Sequence, residues 1–238
     1  MPNLWGISTT LVKDRKPDFS IFSGMNIELR LDNISWDRME TVKELKKILK
    51  RHSINVPAVH EPPGINISSD DEWERVKSIR EVEKAILFAH HLKIKRLILH
   101  APERKDSLEE ILEFGKEWGV EVVLENTSKG KGKDASYIFS LGLPVCLDTC
   151  HANKNLSEWL GHEEKIVHVH VSDTKGGEEE HLLPGEGNIP WKDVIPILAK
   201  RERVYIFELM PHPEPCKRMD EIKKVVEKWE REYGLSFF

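Results

Sequence analysis

The chain has 238 residues, of which 39% are hydrophobic and 32% are charged, and its formal net charge is −5. This length favours one domain over residues 1–238, since a single α/β barrel typically takes about 250 residues. No apolar run approaches the roughly 18 residues that cross a bilayer, and the net charge gives no general attraction for nucleic acid.

The cellular setting follows from the cysteines and the N-terminal sequence. The opening MPNLWGIST has no basic segment followed by an apolar one, which predicts no signal peptide. Cys146, Cys150 and Cys216 are odd in number, and two of them share one strand-like segment. This indicates a reducing, cytoplasmic setting without a disulfide framework. The many Lys and Glu residues are typical of a thermophile's ion-pair networks and also of an ordinary helical surface.

Short apolar segments recur along the chain and predict eight strands. They are rich in Val, Ile and Leu without strict polar alternation, as expected for parallel strands covered on both faces. The predicted strands are Leu4–Ser8, Asn26–Leu31, Ile54–His60, Arg96–His100, Glu121–Glu125, Val145–Asp148, Ile166–Ser172 and Val204–Leu209.

Amphipathic segments between these strands predict helices. The predicted helices are Trp36–His52, Asp70–Leu92, Asp106–Trp118, Ala135–Leu141, Leu156–His162, Trp191–Lys200 and Lys217–Tyr233. The first crossover, residues 14–22, is too short and too interrupted by proline to predict a helix.

Eight strand-then-helix units without a change of composition favour an α/β fold, a single (β/α)8 TIM barrel. The alternative, an open doubly wound sheet, lacks the glycine-rich phosphate loop expected after its first strand. In a barrel the active site lies at the C-terminal ends of the strands.

Residues that can bind metal stand where the predicted strands end. They are His60, His100, Glu125, Asp148, His151, His170 and Glu208, followed in a later loop by Glu179 and His181. Taken alone, each histidine is more often structural, and Glu179-Glu180-His181 is more often a solvated acidic segment. Together, six consecutive strand ends with such residues predict one metal site, in which Glu125, Asp148 and Glu208 are the candidate catalytic carboxylates.

Other candidates are weaker. Cys150 could bind zinc, but a small buried side chain is the favoured interpretation. Lys129, Lys131 and Lys133 could contact phosphate or lie in a solvated loop. His168 could orient a ligand from one layer deeper. The remaining histidines, His52, His90, His91, His162 and His212, are interpreted as structural.

The segments HEPPGINIS, ENTSKGKG, CLDTCHA, HVSDTK and HLLPGEGNI occur in this order. They resemble endonuclease IV, within the wider xylose isomerase-like barrel superfamily, from about His60 to Glu208. The resemblance implies cleavage of DNA at abasic sites by a flipped-nucleotide mechanism and up to three zinc ions.

The implied ligands fall into three sets. The first zinc would be held by His60, His100 and Glu125, and Glu125 would bridge to a second on Asp148, His170 and Glu208. His151, Glu179 and His181 would hold the third. The chain departs from the family in carrying Glu179 for Asp, Pro63 for an aromatic residue, and shorter loops after His100 and His151.

Two other functions are compatible with the same residues. A sugar isomerase or epimerase acting on a small ketose or sugar phosphate needs one divalent ion, such as Mn²⁺, on Glu125, Asp148, His170 and Glu208. Its two glutamates would move the proton. A non-catalytic barrel is the third possibility. His60, His100, His151 and His181 have no necessary role in a single-ion isomerase and favour the multinuclear phosphodiester hydrolase, whereas the compact loops and the absence of a basic stripe favour a small substrate. The sequence does not determine the oligomeric state.

Overall fold

Eight parallel strands form a closed barrel in chain order. The computed structural model describes residues 3–12, 17–32, 34, 36, 38–177 and 179–237. The strands are β1 (Leu4–Ser8), β2 (Asn26–Arg30), β3 (Asn55–His60), β4 (Arg96–His100), β5 (Glu121–Glu125), β6 (Val145–Asp148), β7 (Ile166–Val171) and β8 (Val204–Phe207). Leu4 of β1 pairs with Val204 of β8, which closes the barrel and excludes the open doubly wound sheet.

Helices connect the strands and surround the barrel. They are α1 (Met39–Arg51), α2 (Glu72–Leu92), α3 (Asp106–Trp118), α4 (Ala135–Ser140), α5 (Leu156–Leu160), α6 (Trp191–Leu198) and α7 (Pro215–Tyr233). The predicted fold, a single-domain (β/α)8 barrel, is therefore confirmed. None of the helices described here is long and apolar enough to cross a lipid bilayer.

Helix limits differ from the predicted ones where a cap or a proline sets them. The helix predicted from Asp70 begins at Glu72, because the Asp71 side chain accepts a hydrogen bond of 2.9 Å from the backbone N–H of Glu74. The last helix begins at Pro215, two residues before the predicted start, because proline needs no donor in a first turn. The first helix begins at Met39, three residues later than predicted.

The crossover between β1 and β2 contains two short 3₁₀ helices, Thr9–Leu11 and Phe19–Phe22. The segment predicted to lack a regular helix is residues 14–22, of which 14–16 lie outside the described residues. Its described end is capped by Asp18, whose side chain accepts from the backbone N–H of Ser20 at 2.9 Å.

The apolar core has two parts. The larger part lies between the strands and the helices and includes Leu97, Leu124 and Ile86. The smaller part, Ala58, Ile98, Val123 and Cys146, fills the barrel interior. Toward the carboxyl ends of the strands, beyond this smaller core, the inward-facing side chains are polar. The fold therefore places charged groups at that end of the barrel.

Candidate metal centre at the barrel mouth

Ligand-type side chains from six strand ends meet at the barrel mouth. The last inward-facing positions, from β3 to the residue after β8, are His60, His100, Glu125, Asp148, His170 and Glu208. Parallel pairing sets their heights, because His100 is in register with Glu125 and Asp148 is in register with His170. Apart from the partly exposed His100, all are at most 6% exposed.

The first ligand group consists of His60, His100 and Glu125. Nε2 of His60 lies 2.8 Å from Oε2 of Glu125, and Nε2 of His100 lies 3.6 Å from the same oxygen. One candidate ligand atom from each residue lies within 4.8 Å of the others. The structure thus brings together the three residues assigned by resemblance to a first zinc.

The second ligand group consists of Glu125, Asp148, His170 and Glu208. Nδ1 of His170 lies 2.9 Å from Oε1 of Glu125 and 2.8 Å from Oε2 of Glu208. The four candidate ligand atoms again lie within 4.8 Å of one another. Glu125 therefore presents one oxygen to each of the first two groups.

The third ligand group consists of Asp148, His151 and His181, with Glu179 at its edge. Oε2 of Glu179 lies 3.2 Å from Nε2 of His151 and 3.5 Å from Nε2 of His181. The Glu179 side chain is 62% exposed. The structure thus groups His151 and His181 of the predicted third set with Asp148, which also belongs to the second group, while Glu179 contacts both imidazoles from the exposed edge.

The loop that carries Glu179 and His181 is held by Asp173, which is fully buried. Its Oδ1 accepts from the backbone N–H groups of Thr174 at 2.8 Å and Ile189 at 3.0 Å. Its Oδ2 accepts from the backbone of Gly185 at 2.7 Å and from Nε1 of Trp191 at 3.0 Å. One carboxylate therefore joins both ends of the loop after β7.

The carboxylates of the centre are stabilised in their ionised form. Burial acts to raise the pKa of Glu125, but His170 and His100 outweigh it and hold the pKa well below its usual range. Burial likewise acts to raise the pKa of Glu208, and His170 and Arg30 hold it well below normal. The centre is therefore anionic wherever its histidines are neutral.

The histidines respond to the same charges. Burial acts to lower the pKa of His100, but Glu61 and Glu125 raise it to about 9. His181 is similar, since burial lowers its pKa and Glu179 and Asp148 raise it to about 9. Both shifts favour the protonated form of the imidazole beside the buried carboxylates.

Several buried polar atoms of the centre have no hydrogen-bond partner among the described residues. They include Nδ1 of His60, Oδ2 of Asp148 and Nδ1 of His181. Buried polar atoms are normally satisfied, and leaving one unpaired costs about 1–3 kcal/mol. Oδ2 of Asp148 and Nδ1 of His181 face each other at 3.8 Å within the third ligand group, which fits a divalent cation bound there.

Sequence reasoning missed two acidic residues next to the ligand groups. Glu28 of β2 is fully buried, with its oxygens 3.1 Å from Nε2 of His168 and 3.0 Å from Nε2 of His170. Burial acts to raise the pKa of Glu28, but His170 and His168 hold it at about 2. The available signal was a glutamate inside the apolar segment NIELR. Glu61 was missed although it directly follows His60.

The weaker candidates lie as follows. Cys150 is buried, and its thiol contacts the carbonyl oxygen of Gly177 at 3.8 Å. Lys131 donates from Nζ to the carbonyl oxygen of Glu103 at 2.9 Å, so its ammonium group is engaged away from the ligand groups. His168 contacts Glu28. It precedes His170 by two residues on β7 and so lies one layer deeper in the barrel.

A cavity of about 510 Å³ opens beside His151. The residues that line it come from the loops after β5 and β6 and from α5, and they are Ser128, Lys133, Asp134, His151, Asn153, Lys154, Asn155 and Glu158. This cavity is large enough for a sugar or a nucleotide and borders the third ligand group.

A family model described as xylose isomerase-like TIM barrel matches residues 22–231. The chain belongs to this family. The first curated relative of this xylose isomerase-like barrel is an uncharacterised protein of Methanocaldococcus jannaschii. The two are 28% identical over 166 residues, which cover 61% of the chain and 66% of the relative. The chain thus spans slightly less than two thirds of that relative's length.

Another relative is the protein named Probable endonuclease 4 of Persephonella marina. It is 28% identical over 205 residues, which cover 66% of the chain and 71% of the relative. The superfamily resemblance expected from the sequence motifs is thereby confirmed.

Solved structures of differently named proteins share this fold. A D-tagatose 3-epimerase-like protein superposes with a TM-score of 0.78 at 22% identity, covering 96% of this chain and 99% of that one. Endonuclease IV from Thermus thermophilus superposes with a TM-score of 0.70 at 18% identity, covering 94% and 99%. The IOLI protein, solved with a bound zinc atom, gives 0.77 at 18% identity, covering 97% and 99%. At these identities the similarity establishes the fold alone.

Proposed function

We propose that this barrel is a multinuclear metal-dependent phosphodiester hydrolase that cuts DNA at abasic sites. The observation that carries the proposal is the sharing of carboxylates between ligand groups. Glu125 belongs to the first and second groups, and Asp148 to the second and third. Shared carboxylates bring ions close together, and phosphodiester-cleaving enzymes use pairs of ions about 3.5–4 Å apart.

The donor set fits zinc, in up to three positions. Imidazole and carboxylate groups are normal zinc ligands, and Mn²⁺ accepts the same groups. Bound divalent ions would activate water near neutral pH and neutralise charge on the phosphodiester. Glu125, Asp148 and Glu208 would hold the ions, while Arg30 fixes Glu208 through a bond of 2.7 Å from Nη1 to Oε1.

DNA as the substrate is supported by the relative named Probable endonuclease 4 and by the cavity beside His151. Lys133 and Lys154 on the cavity wall would face backbone phosphates. Pro63 and the short loops offer few side chains to open a duplex. We therefore expect cleavage of abasic DNA with modest affinity for the intact duplex.

The test combines metal analysis with a cleavage assay. Protein purified without added metal or chelator is analysed for metal content and incubated with a duplex that contains one stable abasic analogue. About three ions per chain and cleavage at the analogue are expected, and the undamaged duplex is the control. One ion per chain, or no cleavage at the analogue, would overturn the proposal.

The second candidate is a single-ion epimerase acting on a small ketose or sugar phosphate. It is favoured by Glu125 and Glu208, whose carboxylates both lie close to Nδ1 of His170, at 2.9 Å and 2.8 Å. Such a pair could remove and return a proton beside a carbonyl. Turnover of ketoses by the protein that holds one divalent ion would support this candidate.

A further inference from the structure

Glu61 occupies a fixed position at the end of β3. Its backbone N–H donates to the carbonyl oxygen of Ile98 at 2.9 Å, which continues the pairing between β3 and β4 beyond the last strand residue. Pro62 follows, and a residue before proline is restricted to extended conformations. The strand pairing and the following proline therefore both restrict the backbone that carries the Glu61 carboxylate.

The carboxylate of Glu61 makes two contacts with His100. Its Oε1 lies 2.6 Å from Nδ1 of the imidazole, and its Oε2 accepts from the backbone N–H of His100 at 2.9 Å. The Glu61 side chain is 10% exposed. Both of its hydrogen bonds within the described part of the chain go to this one residue, so they fix the side chain of His100 relative to its own backbone.

This contact decides which nitrogen of His100 can bind a cation. A carboxylate only accepts hydrogen bonds, so Nδ1 must carry the proton. The lone pair available for an ion then belongs to Nε2, and that atom lies 3.6 Å from Oε2 of Glu125, within the first ligand group. Histidines that bind metals usually donate their other N–H in this way, and losing the acceptor costs about 10- to 100-fold in metal affinity.

We propose that Glu61 is a positioning residue that presets His100 for the ion of the first ligand group. This role of Glu61 rests on the proposed multinuclear function and adds a positioning residue to it. A single ion on the second ligand group does not require His100 as a ligand, nor an acid that orients it. The Glu61–His100 contact thus assigns a cation to the part of the mouth that distinguishes the hydrolase from the epimerase.

The experiment measures zinc affinity and stoichiometry by competition with a chromophoric chelator. Glu61→Gln keeps the size of the side chain but leaves one oxygen to serve two donors. We expect one zinc ion per chain to bind about 10- to 100-fold more weakly, with the others unchanged. The matched control is Glu83→Gln, since Glu83 is 7% exposed but pairs with Arg80 on α2. It should bind zinc as the unmodified chain does.

A double-substitution cycle separates positioning from general stabilisation. In a His100→Ala background, Glu61→Gln should cost no further zinc affinity, because the group it positions is gone. If Glu61→Gln fails to fold, zinc affinity is measured in Glu61→Asp instead. This variant keeps the charge on a shorter side chain, and we expect an intermediate loss of zinc affinity.

The outcomes separate the two claims. If the unmodified chain binds no more than one zinc ion, the proposed multinuclear function is wrong. If it binds several ions and Glu61→Gln binds them all equally well, the role of Glu61 is wrong and the proposed function stands. An equal loss with and without His100 would also overturn the positioning role.

Discussion

Oε1 of Glu125 on β5 lies 2.9 Å from Nδ1 of His170 on β7, although β6 runs between the two strands. The barrel mouth is narrow enough for a glutamate to reach across it. Its other oxygen lies 2.8 Å from Nε2 of His60 on β3. Glu125 thus connects both sides of the mouth, and its removal affects two ligand groups at once.

Glu125→Gln should lower metal content and abolish hydrolysis, because an amide is a poor bridging ligand for two cations. We expect the loss of at least one ion per chain by elemental analysis and a fall in cleavage of about 100-fold or more. Glu121→Gln, on the same strand but at the opposite end and half-exposed, is the control. Full activity in Glu125→Gln would contradict both the hydrolase and the epimerase proposals.

His181→Ala should distinguish the two enzyme proposals. The substitution removes one imidazole from the third ligand group and leaves the second group intact. Cleavage of the abasic duplex should fall by about 100-fold, whereas a single-ion epimerase would keep most of its turnover. His162→Ala, on the exposed surface, controls for general loss of a histidine. Unchanged cleavage in His181→Ala would remove the third group from the mechanism.

Asp173→Asn should destabilise the loop after β7. The carboxylate accepts two hydrogen bonds on each oxygen, and an amide can accept on one side only. Two buried donors would then face an NH₂ group, with an expected loss of about 3 kcal/mol in the free energy of unfolding. Denaturant titration measures it, with the exposed Asp193→Asn on α6 as the control. A loss no larger than that of Asp193→Asn would contradict the role of Asp173.

Chelation of bound metal should lower the melting temperature. An ion that binds only the folded chain, present at a thousand times its dissociation constant, stabilises it by about 4 kcal/mol. For a domain of this size, that corresponds to roughly 10 °C. Calorimetry before and after chelation measures the shift, and added zinc should reverse it. Equal melting temperatures would indicate that the ligand groups bind no ion when folded.

The strand ends of the centre could be predicted because apolar parallel strands are easy to recognise and their carboxyl ends must converge. His60, Glu125 and His170 follow directly from this rule. Glu28 could not be found in the same way, because a charge inside NIELR is typical of a solvated position until the closed barrel turns it inward. The role of Asp173 was equally hidden, since its four partners are spread from Thr174, through the loop after β7, to Trp191 at the start of α6.

Loop limits and caps explain the smaller differences. Asp71 and Pro215 each set a helix start through one local contact or one missing donor, which hydrophobic periodicity does not register. The contact between Glu61 and His100 joins the ends of β3 and β4, and the register between these strands decides which residues lie opposite each other. A contact of this kind depends on the three-dimensional structure, whereas the barrel fold could be predicted from the pattern of strands and helices.

The second ligand group lies on strand ends, whereas Glu179 and His181 of the third lie on a loop fastened by Asp173. Substitutions in that loop can therefore add or remove a cation without repacking the barrel. The number of ions held at the mouth would then depend on one surface segment, while the barrel and its innermost ligands stay unchanged.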